Sequence, residues 1–234
     1  MIINNANKVL FTSYMCNEND DIVQTILRKW KELNPSFKIF YFSDDDIDVF
    51  FKDTEHEKTY KCLKNGVAKA DFFRICYIER NGGYWFDIDL DPVNIDFPNI
   101  GNIHLFDAGY KKNKHHVCSI SYMLIGGSKN QLLFKDVIKE VSKRIIKNYN
   151  TKITGKAGQA ALIDITGPHI IQEIVFEKLN NDPISPEKGY KTYLENTEYE
   201  FQYMRILFLK HKTTLYDKLQ KRYNKLPHQH YDFI

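Results

Sequence analysis

The sequence has no C-x-x-C pair. Its four cysteines, Cys16, Cys62, Cys76 and Cys118, are scattered, which argues against structural zinc and against a disulfide framework; free thiols are expected. No apolar run reaches the ~18 residues of a membrane span. The opening MIINNANKVLFTSYM has neither the basic segment nor the long apolar stretch of a secretory signal. The reading is a soluble, cytoplasmic protein without a transmembrane segment. An excess of charge of one sign is missing too: 33 Lys and Arg face 30 Asp and Glu, leaving +3. Nucleic acid is therefore not an expected partner, because it selects a dense basic stripe. No repeat, low-complexity block or linker interrupts the chain, so 1–234 reads as one domain.

What is present is core-forming material, with 43% hydrophobic and 14% aromatic residues. KVLFTSY (8–14) reads as a buried strand. DDIVQTILRKWKELNP (20–35) carries Ile22, Ile26, Leu27, Trp30 and Leu33 at helical spacing, with acids at its start and Asn-Pro at its end. FKIFYFS (37–43) is strand-like, and DDDIDVFFK opens a second helix. A further helix is expected over 66–83, closed by Gly82 or Gly83. Strands are expected at YWFDIDL, 102–108 and 118–127, and helices at 130–149 and 167–179. EYEFQYM carries a short strand signal, and a basic helix is expected near 214–224. The β-α-β-α opening favours an α/β fold with a mainly parallel central sheet flanked by helices.

Residues 81–92, NGGYWFDIDLDP, carry the chemistry. Asp87, Asp89 and Asp91 alternate with Phe86, Ile88 and Leu90, so a strand here would bury one apolar face and offer carboxylates on the other. Paired carboxylates suit a hard cation such as Mn²⁺ or Mg²⁺, which completes its shell with water and substrate phosphate. The plain alternative for an isolated D-x-D is a solvated strand end. One helix upstream, AKADFFR sets Asp71 and Arg74 three apart on one face. That spacing is either a local ion pair or a pair of groups for sugar hydroxyls and phosphate.

AKADFFRICYIERNGGYWFDIDLDP resembles the signature of the DXD sugar-transferase family, glycosyltransferase family 32, through Ala68, Ala70, Asp71, Arg74, Gly82, Gly83, Tyr84, Asp87 and Asp89. That family includes initiating mannosyltransferases and sphingolipid and capsular sugar transferases, with the glucosylating clostridial toxins as distant relatives. Fainter echoes are NPSFKIFYFSDDDI, ISYMLIGGSKNQLL and ITGPHII. The resemblance implies a GT-A-type fold and a retaining, metal-dependent transfer from a nucleotide-diphosphate sugar, UDP-linked by preference and GDP-mannose as the other option. The acceptor would be a glycan, glycolipid or glycoprotein. It implies Asp71, Arg74 and Asp87 as catalytic residues, and Asp71 and Arg74 as ligands of the sugar. Asp87 and Asp89 would bind the metal, with His230 or His228 as a further metal or phosphate ligand. The first strand, Phe11 within it, would contact the nucleotide. GKAGQAAL (155–162) reads as a surface turn or a phosphate site. A non-catalytic nucleotide-sugar or glycan-binding protein on the same fold is the other reading. A metal-dependent phosphohydrolase or nuclease would need a further carboxylate or His cluster, which is not visible in the sequence.

Overall fold

The computed structural model describes residues 8–14, 18–95, 103–107, 120–148, 161–178, 192–193, 201–204 and 218. Cys16, Cys118, the 155–160 stretch, most of the expected basic helix and His228 and His230 lie outside them. Strand β1 (Val9–Ser13) leads into helix α1 (Asp21–Leu33), then β2 (Lys38–Phe42), α2 (Asp44–Phe51), the short α3 (Glu57–Lys61) and α4 (Gly66–Asn81). There follow β3 (Gly83–Phe86), β4 (Ile103–Asp107), β5 (Ile120–Gly127) and α5 (Leu132–Lys147). Residues 161–165 are helical, then come α6 (His169–Lys178), β6 (Thr192–Tyr193) and β7 (Phe201–Met204).

The strands form one sheet in the order β2-β1-β3-β5-β4-β7-β6. The expected parallel pairing holds for β1 with β2 and β3, and for β4 with β7. β5 runs antiparallel to both β3 and β4, and β6 to β7, so the sheet is mixed. Alternating side chains divide the core. Leu10, Tyr84 and Phe86 pack with Ile22, Ile26 and Trp30 of α1 on one face. Phe11, Trp85 and Tyr122 pack with α2, α4, α5 and α6 on the other. Among the described residues no helix is long and apolar enough to cross a membrane.

Local chemistry sets the helix ends. Asp20 caps α1 by accepting from Ile22 and Val23, and Asn65 caps α4 by accepting from Val67 and Ala68. Ser43 and Asp46 form a reciprocal capping box on α2. α4 ends because Gly82 takes φ +73° while its N–H closes on Ile78 O at 2.8 Å. Gly83 follows at φ +112°, with the position of an added Cβ 3.1 Å from Val9 O. The paired glycines thus reverse the chain from helix to strand in a space with no room for a side chain.

A second tight place is Gly126 on β5. A Cβ there would fall 2.2 Å from Tyr84 Cδ1. Tyr84 cannot swing aside, because its ring is buried and its hydroxyl is hydrogen-bonded to His104 Nδ1 at 2.9 Å. Gly126→Ala is expected to lower stability by about 1–3 kcal/mol through overpacking. Gly66, the exposed first residue of α4, has nothing within 4 Å of its Cβ position, and Gly66→Ala should raise stability by up to about 1 kcal/mol. Urea unfolding of the two variants beside the wild type checks both signs.

Candidate functional site

The site lies where the end of β3, the middle of α4 and strand β5 meet. The acidic stretch is not the strand expected from its alternation. β3 stops at Phe86, one more ladder bond joins Asp87 N–H to Met123 O at 2.7 Å, and the chain then turns, with Leu90 N–H closing on Asp87 O at 2.9 Å. The alternation survives as burial: Ile88 and Leu90 sit in the α1-side core, while Asp87, Asp89 and Asp91 are half-buried. Extending the strand would have carried further carboxylates onto the helix-covered face that Trp85 shares, without countercharge. The turn instead keeps them at the end of β3, an interior strand of the sheet.

Arg74 organises this end of the strand. Its side chain is only 6% exposed. Nη2 lies 3.0 Å from Asp71 Oδ1 and Nη1 lies 3.1 Å from Asp87 Oδ1. Nη1 donates to Tyr122 O at 2.8 Å and Nε to Ala70 O at 3.3 Å. One face of the guanidinium covers the Trp85 ring at 4.4 Å. Trp85 in turn donates its indole N–H to Asp87 Oδ1 at 2.6 Å. Most of the Arg74 fork is therefore committed inside the protein, and it holds Asp71 and Asp87 at a fixed separation. Asp71 also meets the Thr166 hydroxyl at 3.2 Å. Burial pushes its carboxyl up to about 7; Arg74 pulls the other way, and the charge of Asp87 adds to the rise.

Asp87 takes both of its protein donors on Oδ1, leaving Oδ2 without a protein hydrogen bond among the described residues, and its side chain is 28% exposed. Asp89 follows two residues later in the turn. Two half-buried carboxylates, one of them with an uncommitted oxygen, are hard donors of the type a divalent cation takes, so the residues fit such an ion. Among the described residues no group of three or more His, Cys, Asp or Glu converges. A bound cation would draw its remaining ligands from phosphate and water.

Of the residues the sequence singled out, Asp71, Arg74 and Asp87 come together, and Asp89 sits beside them in the chain. Phe11 is different. It is fully buried, with its ring edge-on to Trp85 at 5.5 Å and tilted over Tyr77 at 4.2 Å. It braces the tryptophan that holds Asp87, and its side chain does not reach a surface where a nucleotide could stack. Sequence reading did not single out Trp85, the Tyr122 carbonyl or Thr166 as parts of this site. Thr166 sits in the Thr-Gly-Pro echo, so that signal was present. A backbone acceptor such as Tyr122 O leaves no mark on residue identity.

Residues 20–102 match the family described as the glycosyltransferase sugar-binding region containing the DXD motif. The chain is 24% identical over 190 residues to the initiation-specific alpha-1,6-mannosyltransferase of Candida albicans, covering 68% of this chain and 48% of that one. It is 29% identical over 89 residues to the putative glycosyltransferase HOC1 of Saccharomyces cerevisiae, covering 36% of this chain and 22% of that one. It thus spans half or less of the curated relatives it matches. Among solved structures the PaToxG glycosyltransferase superposes with a TM-score of 0.51 at 11% identity, over 75% of this chain and 70% of that one. The fold is the GT-A-like one of nucleotide-sugar transferases. With the DXD signature seated at the end of an interior strand of that sheet, the chain is related to the DXD-motif glycosyltransferases and is similar to the initiation-specific mannosyltransferase over part of its length.

Proposed function

We propose that this chain transfers a sugar from a nucleotide-diphosphate sugar to a glycan, lipid or protein acceptor, with retention of anomeric configuration and with help from Mn²⁺ or Mg²⁺. The observation that carries this reading is the buried Arg74 fixed between Asp71 and Asp87, with Asp89 two residues on. A structural ion pair needs one carboxylate. Here one guanidinium orders two, on different elements, and the second belongs to a half-buried acidic turn at the end of an interior strand. A UDP-sugar is the preferred donor, with GDP-mannose as the other option suggested by the mannosyltransferase relatives.

In this reading Asp87 and Asp89 hold the cation, which when bound offsets the negative charge that builds on the leaving diphosphate. Asp71 accepts hydrogen bonds from hydroxyls of the donor sugar. Arg74 keeps Asp71 and Asp87 in register and contributes positive potential at the same strand end. Trp85, backed by Phe11, fixes the Asp87 carboxylate so that little reorganisation is required when the donor arrives. Protein-based covalent chemistry is not called for, which agrees with an arrangement of acids and one arginine.

Three measurements test this. A panel of nucleotide sugars screened by thermal shift should contain a donor that raises Tm with Mn²⁺ present and leaves it unchanged in EDTA; no donor with that behaviour would sink the reading. Asp89→Asn should lose the response of donor hydrolysis and transfer to Mn²⁺, since an amide is a poorer ligand for a hard cation. Wild-type response at subsaturating Mn²⁺ would remove Asp89 from the metal site. Arg74→Lys keeps the charge but cannot span two carboxylates and two carbonyls with a planar fork. Its kcat should fall about 100-fold, the scale of a ~1 Å misplacement of reacting groups, while the far-ultraviolet circular dichroism spectrum stays that of the wild type. Retained turnover would reduce Arg74 to a structural charge.

A further inference from the structure

Asn34, just after α1, is buried at 2% exposure and ties together two segments far apart in sequence. Its amide nitrogen donates to Trp30 O at 3.0 Å and to Val93 O at 2.9 Å, and its carbonyl oxygen accepts from Ile95 N–H at 2.6 Å. The first bond finishes the helix, which a C-terminal residue ordinarily does with its backbone alone. The other two reach across 59 and 61 residues to the chain that leaves the acidic turn. That chain has no strand partner at 91–95, so a side chain provides the satisfaction a ladder would otherwise give.

The turn is thereby fastened at both ends. Upstream, Asp87 N–H bonds Met123 O and its carboxylate is held by Arg74 and Trp85. Downstream, Asn34 holds Val93 and Ile95. Between them Ile88 and Leu90 are seated in the same apolar cluster as Trp30 and Ile95. Asp89 therefore stands in a nine-residue span, 87–95, with two buried anchors and a polar clamp at each end. Asp87 has its own clamp. Asp89 lies within the turn that Leu90 N–H closes on Asp87 O, and the chain leaving that turn is held by the downstream clamp.

We infer that Asn34 is a positioning residue for Asp89: it sets the turn so that Asp89 meets the same cation as Asp87. The inference rests on the metal-dependent reading above. Its effect runs through the backbone of 90–95, and Asn34 itself touches neither metal nor donor. Loss of a residue that orients a ligand weakens metal affinity by about 10–100-fold, and the linkage is reciprocal, so metal must also tighten the strap.

The test uses Mn²⁺ alone as the probe, with the full chain, and reads bound metal by electron paramagnetic resonance and backbone opening by hydrogen exchange. Asn34→Ala should weaken Mn²⁺ binding at least about tenfold and speed exchange over 87–95. In donor hydrolysis the same variant should raise the Mn²⁺ concentration needed for half-activity while keeping kcat at saturating metal. Val141→Ala, a cavity in the buried face of α5, should lower Tm without changing Mn²⁺ affinity, which separates positioning from general loss of stability. In the wild type, Mn²⁺ should slow exchange at Leu90 and Ile95, a measurement that stands even if Asn34→Ala does not fold. Asn34→Ala with faster exchange but unchanged Mn²⁺ affinity overturns the inference alone, as does wild-type exchange at Leu90 and Ile95 that is indifferent to bound metal. Wild-type protein that takes up no Mn²⁺ overturns the metal reading beneath it.

Discussion

A buried guanidinium is the constraint around which this molecule is arranged. A charge taken out of water is tolerated only when its surroundings replace the lost hydration. Arg74 finds that replacement in the carboxylates of Asp71 and Asp87, the carbonyls of Ala70 and Tyr122, and the face of Trp85. Those partners come from α4, β3, β5 and the turn after β3. Satisfying one side chain thus fixes where three elements meet, and the meeting place is also where the acids gather. The requirement of the fold and the geometry of the site are the same set of contacts.

The aromatic residues make that arrangement rigid. Phe11 and Phe73 flank Trp85 from β1 and α4, and Tyr77 packs on Phe11 behind it, so the indole has little freedom to rotate. Its N–H is therefore a stationary donor to Asp87. Sheet alternation sends Trp85 to the α4 side and Tyr84 and Phe86 to the α1 side. The apparently uniform aromatic run YWF thus serves two faces, one for the site and one for the core beneath α1.

Most of the helices and strands were legible because their signals are local. Caps at Asp20, Ser43 and Asn65 and the glycines at 82 and 83 mark ends within a residue or two. The direction of β5 was not legible, since sheet order is set by which faces find partners and not by the strand's own residues. The extent of β3 was misjudged for a related reason. Alternation at 86–91 satisfies a strand and a half-buried turn equally, and only the cost of carrying acids onto a covered sheet face decides between them. The juxtaposition of Asp71, Arg74 and Asp87 followed from their spacing on a helix and past a glycine turn. Asn34 was seen only as part of a helix stop, because its two longest-range bonds are to backbone groups that carry no sequence identity.

The order in which these parts leave the ribosome has a consequence of its own. Asp71, Arg74 and Asp87 lie within 17 residues (71 to 87), whereas Tyr122 follows Asp87 by 35 (122 − 87). A nascent chain that has emerged just past Asp87 already carries both countercharges for the guanidinium. The carbonyl that completes its enclosure arrives later with β5, inserted between β3 and β4. Both countercharges are thus near neighbours of the guanidinium in sequence, and only the carbonyl that completes its enclosure comes from far along the chain.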